Sequence, residues 1–316
     1  MRYPIIAATD LSEASNDTLI QAEGRARRDG TPFTVVHVLP RPRWRVVNDS
    51  EALEQTRANI ERHVCALTGR APSEFEVIVE RGVPHIVLAR IAGARHGLLV
   101  VANHPQHGLA HALTGDVTER TVARANCPVL ITRPRTNSGR VLVAVARAQA
   151  SLAVLDAAAE EAFSSKATLV VLHCLDTGFI ELLAADLING GPYAAHPLSA
   201  RSLVLEARDQ LAAELRDKGV NYELHVVEGS PQVRIPEFAA RTRAELIVLG
   251  SSHPPASLPR VTLAVLRHAP CSVLIVDQTD NPLERQAPLR VGVQASPPPV
   301  FLPPRINDGH GGSHEQ

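Results

Sequence analysis

The chain has 316 residues, of which 45% are hydrophobic and 21% are charged, a composition typical of a globular protein. At ~150 residues per domain, this length predicts two domains. Lysine plus arginine total 32, aspartate plus glutamate total 33, and aromatic residues make up 3% of the chain. Because neither charge nor stacking surface is in excess, the composition argues against a nucleic-acid partner.

The cysteines and the apolar runs indicate the compartment. Four cysteines are dispersed without any C-x-x-C spacing, at Cys65, Cys127, Cys174 and Cys271. In a chain of this size they are expected to be reduced, mostly buried thiols. The N-terminal apolar run is too short for a signal peptide, and no run approaches the ~18 apolar residues of a membrane span. We therefore expect a cytoplasmic protein without a membrane partner.

Short apolar runs alternate with helical patterns along the first part of the chain. Runs rich in valine, isoleucine and leucine predict strands at 4–9, 33–39, 75–80, 97–102 and 127–132. Amphipathic patterns predict helices at 13–29 after Ser12, 50–68 after Asp49, 84–95 with Pro84 in its first turn, and about 116–125. This alternation predicts an open, doubly wound α/β parallel sheet, whose ligands bind beyond the carboxyl ends of the strands.

The same pattern occurs a second time. The first strand, at Ile5-Ile6-Ala7-Ala8-Thr9-Asp10, is matched by Val141-Leu142-Val143-Ala144-Val145-Ala146. The last strand, at Cys127-Pro128-Val129-Leu130-Ile131, is matched by Cys271-Ser272-Val273-Leu274-Ile275. A period of this length indicates a duplicated domain. We expect five-stranded domains at 1–138 and 139–277, followed by a tail at 278–316 whose proline- and glycine-rich composition predicts disorder.

Several segments, in this order and spacing, resemble the universal stress protein family. They are Ala8-Thr9-Asp10-Leu11-Ser12, Gly82-x-Pro84, the stretch from Leu98 to His104 continuing to Leu113-Thr114-Gly115-Asp116, and Cys127-Pro128-Val129-Leu130. The similarity covers 1–133 and, more loosely, 139–277. Tandem members of this family hold two such domains related by a pseudo-two-fold axis. The resemblance thus implies Rossmann-like domains that pair through their last strands, at 127–132 and 271–277.

The resemblance also implies a nucleotide site in domain 1. In nucleotide-binding members, an aspartate that ends the first strand binds adenosine, and Asp10 stands there. The end of the second strand, here Val38, meets the adenine edge, and a glycine-rich loop after the fourth strand holds phosphate. The implied site residues are Thr9, Asp10, Val38, Ala102, Asn103, His104, Gly115, Asp116, Val117 and Thr118. The alternative role of Asp10 is that of a carboxylate capping the first helix.

The phosphate loop departs from the family pattern G-x2-G-x9-G-[ST]. Alanine occupies the first glycine position at Ala102, Pro105 replaces the second glycine and lacks an N–H, and Asp116 replaces the hydroxyl residue. In domain 2, Ala146 stands at the aspartate position, and Pro254-Pro255 interrupts a loop shortened by four residues. We therefore expect ATP or AMP in domain 1 and no nucleotide in domain 2.

Other polar clusters predict no catalytic or metal site. His104, His107 and His111 have a spacing that suits zinc on a helix, but Pro105 and Gly108 place them in a loop, as solvated side chains. His37 and His173 occupy one repeated position at a strand end and are expected to bind backbone in the core.

Two classes of function remain open. The first is a non-enzymatic stress-response regulator that acts on a protein partner of unknown identity, as a single chain or as a homodimer. The alternative is a nucleotide-hydrolysing or nucleotide-transferring enzyme of the same superfamily. Such an enzyme needs a lysine, a metal-binding aspartate pair or a general base beside the phosphates. The chain has two lysines, Lys166 and Lys218, both remote from the loop in sequence.

Overall fold

The computed structural model describes residues 3–41, 49–103, 117–145, 152–175, 208–209, 211–251 and 258–277. In the first half, strands β1–β5 span Ile5–Ala8, Phe33–Leu39, Glu76–Arg81, Leu98–Ala102 and Val129–Thr132, and helices α1–α4 span Glu13–Asp29, Asp49–Thr68, Pro84–Ala94 and Val117–Arg124. In the second half, β6–β10 span Arg140–Val145, Thr168–Leu175, Tyr222–Glu228, Leu246–Ser251 and Ser272–Asp277, and α5–α7 span Leu152–Ser165, Pro231–Thr242 and Arg260–His268.

The ten strands form one sheet, in the order β3-β2-β1-β4-β5-β10-β9-β6-β7-β8. Within each half, all neighbouring strands are parallel, and the second half repeats the strand order of the first. The chain runs outward from β1 to β3 and then crosses to β4 on the other side of β1. Such a reversal opens a crevice at the carboxyl ends of the strands. The doubly wound α/β fold expected from the hydrophobic pattern is confirmed.

The last strands of the two halves join them. β10 pairs antiparallel with β5, with Val273 opposite Ile131, Leu274 opposite Leu130 and Ile275 opposite Val129. The middle pair, Leu130 and Leu274, occupies equivalent positions in the two copies of the sequence. The halves are therefore related by a pseudo-two-fold axis that passes through this pair.

Side chains pack in two apolar layers, one on each face of the sheet. Alternate residues of β1 face opposite layers, since Ile5 and Ala7 lie in one buried cluster and Ile6 lies in the other. The first layer takes apolar residues of α1, α2 and α5, and the second takes those of α3, α4, α6 and α7. Coverage on both faces explains why most strands read as continuous apolar runs.

Polar contacts add to the joint between the halves. The backbone N–H of Arg133 donates to Ser272 Oγ at 3.0 Å, and Arg133 Nη2 donates to the carbonyl of Leu266 in α7 at 2.6 Å. Arg267 of α7 binds Glu119 of α4 through both carboxylate oxygens, at 2.8 and 3.3 Å. The helices that follow β4 and β9 are therefore held against each other across the joint.

Differences from the predicted elements are confined to their ends. β5 begins at Val129 rather than at Cys127, because Pro128 has no N–H to donate to a strand ladder. Ser12 caps α1, as predicted, by accepting a hydrogen bond from Ser15 N–H at 3.3 Å.

All four cysteines are free thiols. The predicted tail at 278–316 lies outside the described residues, and no described helix is long and apolar enough to span a membrane.

Candidate functional site

A cavity of about 530 Å³ lies in the first half, at the carboxyl ends of β1, β2 and β4. Helices α1, α3 and α4 complete its wall. Its lining residues are Ala8, Thr9, Asp10, Ser15, Val36, Val38, Pro84, Leu88, Val101, Ala102, Val117, Thr118 and Thr121. We call it the first cavity. Its volume is in the range of small-molecule sites, and its place in the sheet is where open α/β folds bind ligands.

The turn from β1 into α1 supplies the polar side of the first cavity. Leu11, at φ 64°, turns the chain through the left-handed region, and its N–H donates to Thr9 Oγ1 at 3.1 Å. The hydroxyls of Thr9 and Ser15 lie 3.0 Å apart, within a buried hydrogen bond. These contacts fix the end of β1 against the first turn of α1.

Asp10 lies at the exposed rim of this turn. Its Oδ1 accepts a hydrogen bond from Ser12 N–H at 3.0 Å, which closes an Asx turn just before the helix. The capping hydroxyl of α1 belongs to Ser12, so the alternative role expected for Asp10 is taken by a neighbour. The carboxylate of Asp10 brings a negative charge to the cavity rim, where it is exposed.

His37 holds the end of β1 from the neighbouring strand. Its Nδ1 lies 2.7 Å from the carbonyl oxygen of Thr9, and since that oxygen can only accept, Nδ1 carries the proton. In the second half, His173 Nδ1 makes the same contact with the carbonyl of Val145 at 2.9 Å. The prediction that both histidines bind backbone is confirmed.

The opposite side of the first cavity is apolar. Val36 and Val38 of β2 and Leu88 of α3 face it. The paired register of β1 with β2 ends at Ala8 and Val36, so Val38 lies beyond the last paired residue of β1. The first cavity therefore has an apolar side formed by the end of β2 and α3.

Helix α4 closes the third side of the first cavity. The hydroxyl of Thr118 donates to the carbonyl of Ala102 at 3.2 Å and ties the start of α4 to the end of β4. Val117 and Thr121 stand on the same wall, and Val117 is 44% exposed. The first turn of this helix directs its N–H groups towards the carboxyl ends of the strands, a polarity that suits an anion.

The structure brings together six of the ten residues predicted for this site. They are Thr9, Asp10, Val38, Ala102, Val117 and Thr118. Asn103 faces the joint between the halves instead, where its amide oxygen can accept from Arg133 Nη2 at 3.1 Å and from Nη1 at 3.3 Å. His104, Gly115 and Asp116 lie outside the described residues.

Sequence reasoning missed several residues of this wall. Thr121 and Leu88 lie one helical turn from Thr118 and Pro84, so i,i+3 and i,i+4 spacing is the signal that could have found them. Ser15 also lines this wall, where its hydroxyl shares a hydrogen bond with that of Thr9.

A second cavity, of about 390 Å³, occupies the equivalent place in the second half. We call it the second cavity. Its lining residues are Ala144, Val145, Leu172, Cys174, Pro231, Ile235, Leu249, Gly250, Pro259, Val261 and Thr262. Val145 stands where the first cavity has Thr9. Among the described lining residues of the second cavity, a valine thus replaces the threonine hydroxyl of the first.

Neither lysine of the chain is among the described residues that line the first cavity. Lys218 pairs with Asp156 of α5, and Lys166 follows the end of that helix in the second half. Among the described residues, no group of three or more histidine, cysteine or carboxylate side chains could hold a metal ion. His104, His107 and His111 lie outside those residues.

The family assignment follows from sequence comparison. The sequence model described as "Universal stress protein family" matches twice, at residues 1–133 and 137–277. The chain belongs to the universal stress protein family. Two matches in one chain, joined through β5 and β10, identify a tandem universal stress protein.

Solved structures share the tandem architecture. A universal stress protein from Archaeoglobus fulgidus DSM 4304 is 16% identical, with a TM-score of 0.63, and the match covers 88% of this chain and 97% of that one. A putative universal stress protein from Pseudomonas aeruginosa UCBPP-PA14 is 18% identical, with a TM-score of 0.57, covering 86% and 91%. At these identities the likeness shows that the tandem universal stress protein fold is shared.

Proposed function

We propose that this universal stress protein is a stress-response regulator that binds one adenine nucleotide per chain, in the first cavity. The observation that supports this most is the pairing of a rim carboxylate, Asp10, with an apolar slot formed by Val36, Val38 and Leu88. Ribose hydroxyls are donors that suit a carboxylate, and a purine ring suits the slot. We also propose that the two domains span residues 1–138 and 139–277.

The phosphate side of the site favours a short phosphate chain. The start of α4 can receive an anion, but the loop before it carries Pro105, which lacks a donor, and Asp116, which is itself anionic. Both residues oppose a triphosphate more than a monophosphate. We infer that AMP or adenosine binds at least as tightly as ATP when no metal is added.

The proposed role is binding without turnover. Neither lysine of the chain lines the first cavity, and the described wall supplies one carboxylate, Asp10, rather than a metal-binding pair. The nucleotide then acts as a signal that the protein, in the cytoplasm, passes to a protein partner or to a second copy of itself. Stable ATP over hours with the purified protein is the expected outcome, and formation of ADP or AMP at a catalytic rate would favour the enzyme alternative.

Titration calorimetry with AMP tests the site. We expect one site per chain, and we expect Asp10→Ala to weaken binding by roughly 10- to 150-fold, because a hydrogen bond to a charged group contributes ~1.5–3 kcal/mol. Asp17→Ala is the matched control, since Asp17 is an exposed aspartate of α1 that does not line the cavity. Two sites per chain, or equal affinity in the two variants, would contradict the assignment.

A further inference from the structure

The second cavity keeps the shape of the first while its chemistry changes. Its wall comes from the equivalent elements: the ends of β6, β7 and β9, the start of α6 and the start of α7. Ala144, Pro231 and Thr262 stand where the first cavity has Ala8, Pro84 and Thr118. A space of about 390 Å³ remains, so the loss of a nucleotide signature has not filled the site.

The positions that differ between the two cavities are those whose side chains make the first cavity polar. Val145 takes the place of Thr9, so the hydroxyl that bound Ser15 in the first half is absent from this strand end. Val265 takes the place of Thr121 and is fully buried. Among the described lining residues of the second cavity, no side chain carries a charge. A phosphate or carboxylate placed there would lose its water without gaining an ionic partner from this wall.

Two weakly polar groups remain at the second cavity. The thiol of Cys174 takes the place of Val38, and burial raises the pKa of this thiol to about 11, so it is neutral at pH 7. Thr262 is buried and lines the cavity, and its hydroxyl can donate or accept a hydrogen bond. The described part of the wall therefore offers apolar surface, one neutral thiol and one hydroxyl.

We propose that the second cavity binds an uncharged small molecule with an apolar or aromatic body and a single hydrogen-bonding group. The body packs against Leu172, Ile235 and Leu249, and the polar group meets Thr262. An apolar cavity with few convergent polar groups is the general form of such sites. The protein thereby has two cavities at equivalent places in its halves, and their described walls differ in polarity.

Binding of N-phenyl-1-naphthylamine, an uncharged aromatic amine whose fluorescence rises in apolar surroundings, tests the proposal on the full chain. We expect saturable binding at one site per chain. Ala144→Phe places a ring in the second cavity and should raise the dissociation constant at least tenfold. Ala8→Phe is the matched control, because Ala8 occupies the equivalent position of the first cavity and its substitution should leave probe binding unchanged.

Each variant must be shown to fold, by circular dichroism and thermal midpoint, before its binding is interpreted. Absence of saturable binding to the unaltered chain would overturn the proposal. So would a probe that responds to Ala8→Phe and not to Ala144→Phe, since it would then lie in the first cavity. Titration of the same proteins with AMP separates this proposal from the nucleotide site. AMP binding should weaken in Ala8→Phe and stay unchanged in Ala144→Phe.

Protection of Cys174 gives a second test that needs no substitution in the cavity. In a Cys65→Ser background, the remaining cysteines are Cys174, which lines the cavity, and Cys127 and Cys271, which are buried. With saturating probe, the rate at which a thiol reagent labels Cys174 at pH 8.5 should fall at least fivefold. An unchanged rate, with the labelled residue identified by peptide mapping, would show that the probe binds elsewhere.

Discussion

The two cavities of this chain have one architecture and different walls. At the first, Thr9 and Asp10 follow β1, while at the second, Val145 ends β6. His37 of β2 binds the carbonyl of Thr9, and His173 of β7 binds the carbonyl of Val145 in the same way. The comparison teaches that the sheet, its register and its backbone contacts can be retained while side chains at a few strand ends change the polarity of the cavity wall.

The largest expected effect concerns the pseudo-two-fold axis. Leu130 and Leu274 face each other across β5 and β10 and are 4% and 3% exposed. Leu130→Ala and Leu274→Ala should each lower the free energy of unfolding by about 2–5 kcal/mol, because each leaves a cavity in a packed core. Urea denaturation followed by circular dichroism measures both.

The two leucine variants also test whether the halves unfold together. Since the residues are in contact, the double variant should depart from the sum of the single effects by about 0.5–3 kcal/mol. Additive losses with two separate unfolding transitions would show that the halves unfold independently. The comparison would then concern two domains with little energetic coupling.

A smaller effect is expected at the phosphate side of the first cavity. Asp116 lies outside the described residues, and its position in the sequence is that of the hydroxyl in the family's phosphate loop. Asp116→Ser should shift preference towards ATP over AMP by tenfold or more, about 1.4 kcal/mol, because it removes a charge that repels phosphate. Calorimetry in EDTA measures this preference.

Repeating the titrations in Mg²⁺ provides the control for Asp116. A bridging cation turns the carboxylate from repulsive to attractive, so the unaltered chain should gain affinity for ATP and the difference between the variants should shrink. A tenfold preference for ATP in EDTA by the unaltered chain, with Asp116→Ser no different, would show that this loop does not meet phosphate.

Two glutamates at equivalent positions of the halves are expected to have a smaller effect on stability than the leucines. Glu76 in β3 binds Arg95, which donates from Nη2 at 2.9 Å, and this hydrogen bond lowers the pKa of the Glu76 carboxyl below 4.5. Glu223 occupies the same position in β8 but binds Arg140 at 3.0 Å. Both pairs are partly exposed, so Glu76→Gln should cost less than about 1 kcal/mol at pH 7.

The sign of the pH dependence follows from the lowered pKa of Glu76. Its contribution to the free energy of unfolding is full above pH 4.5 and is lost as pH falls through the folded-state value. The difference between Glu76→Gln and the unaltered chain should therefore shrink as pH falls below 4.5 through the folded-state pKa, measured by denaturant titration at each pH. Glu223→Gln serves as the matched variant, and a difference for Glu76→Gln that grows in acid would contradict the assignment.

The smallest effect is expected from the residues after β10, which have no counterpart in the first half. Their proline-rich composition predicts that no core depends on them. Removal of residues 279–316 should leave the thermal midpoint within a degree or two of the full chain, by scanning calorimetry. A fall of several degrees would mean that the tail packs on one half and adds a difference between the halves that the sheet does not have.

The sequence pattern was sufficient to predict the fold because the same order of apolar runs and helical patterns occurs twice in the chain. Apolar runs such as that of β1, Ile5–Ala8, are typical of parallel strands covered on both faces, and the repeat of the first and last strands indicated the duplication. Capping by Ser12 and the start of α3 at Pro84 were equally local, and both appear as predicted. Local signals of this kind depend on neighbours within a few residues, so no tertiary structure was needed to interpret them.

The composition of the site depended on contacts between residues far apart in the chain. Asn103 follows Ala102 directly, yet Ala102 lines the first cavity while Asn103 turns to Arg133 at the joint of the halves. Sequence spacing cannot distinguish them, because Asn103 is oriented by Arg133, which lies 30 residues later in the chain. The type of fold was thus determined by the sequence alone, whereas the tertiary structure decided which of two adjacent residues faces the cavity, since only packing orients a side chain at the end of a strand.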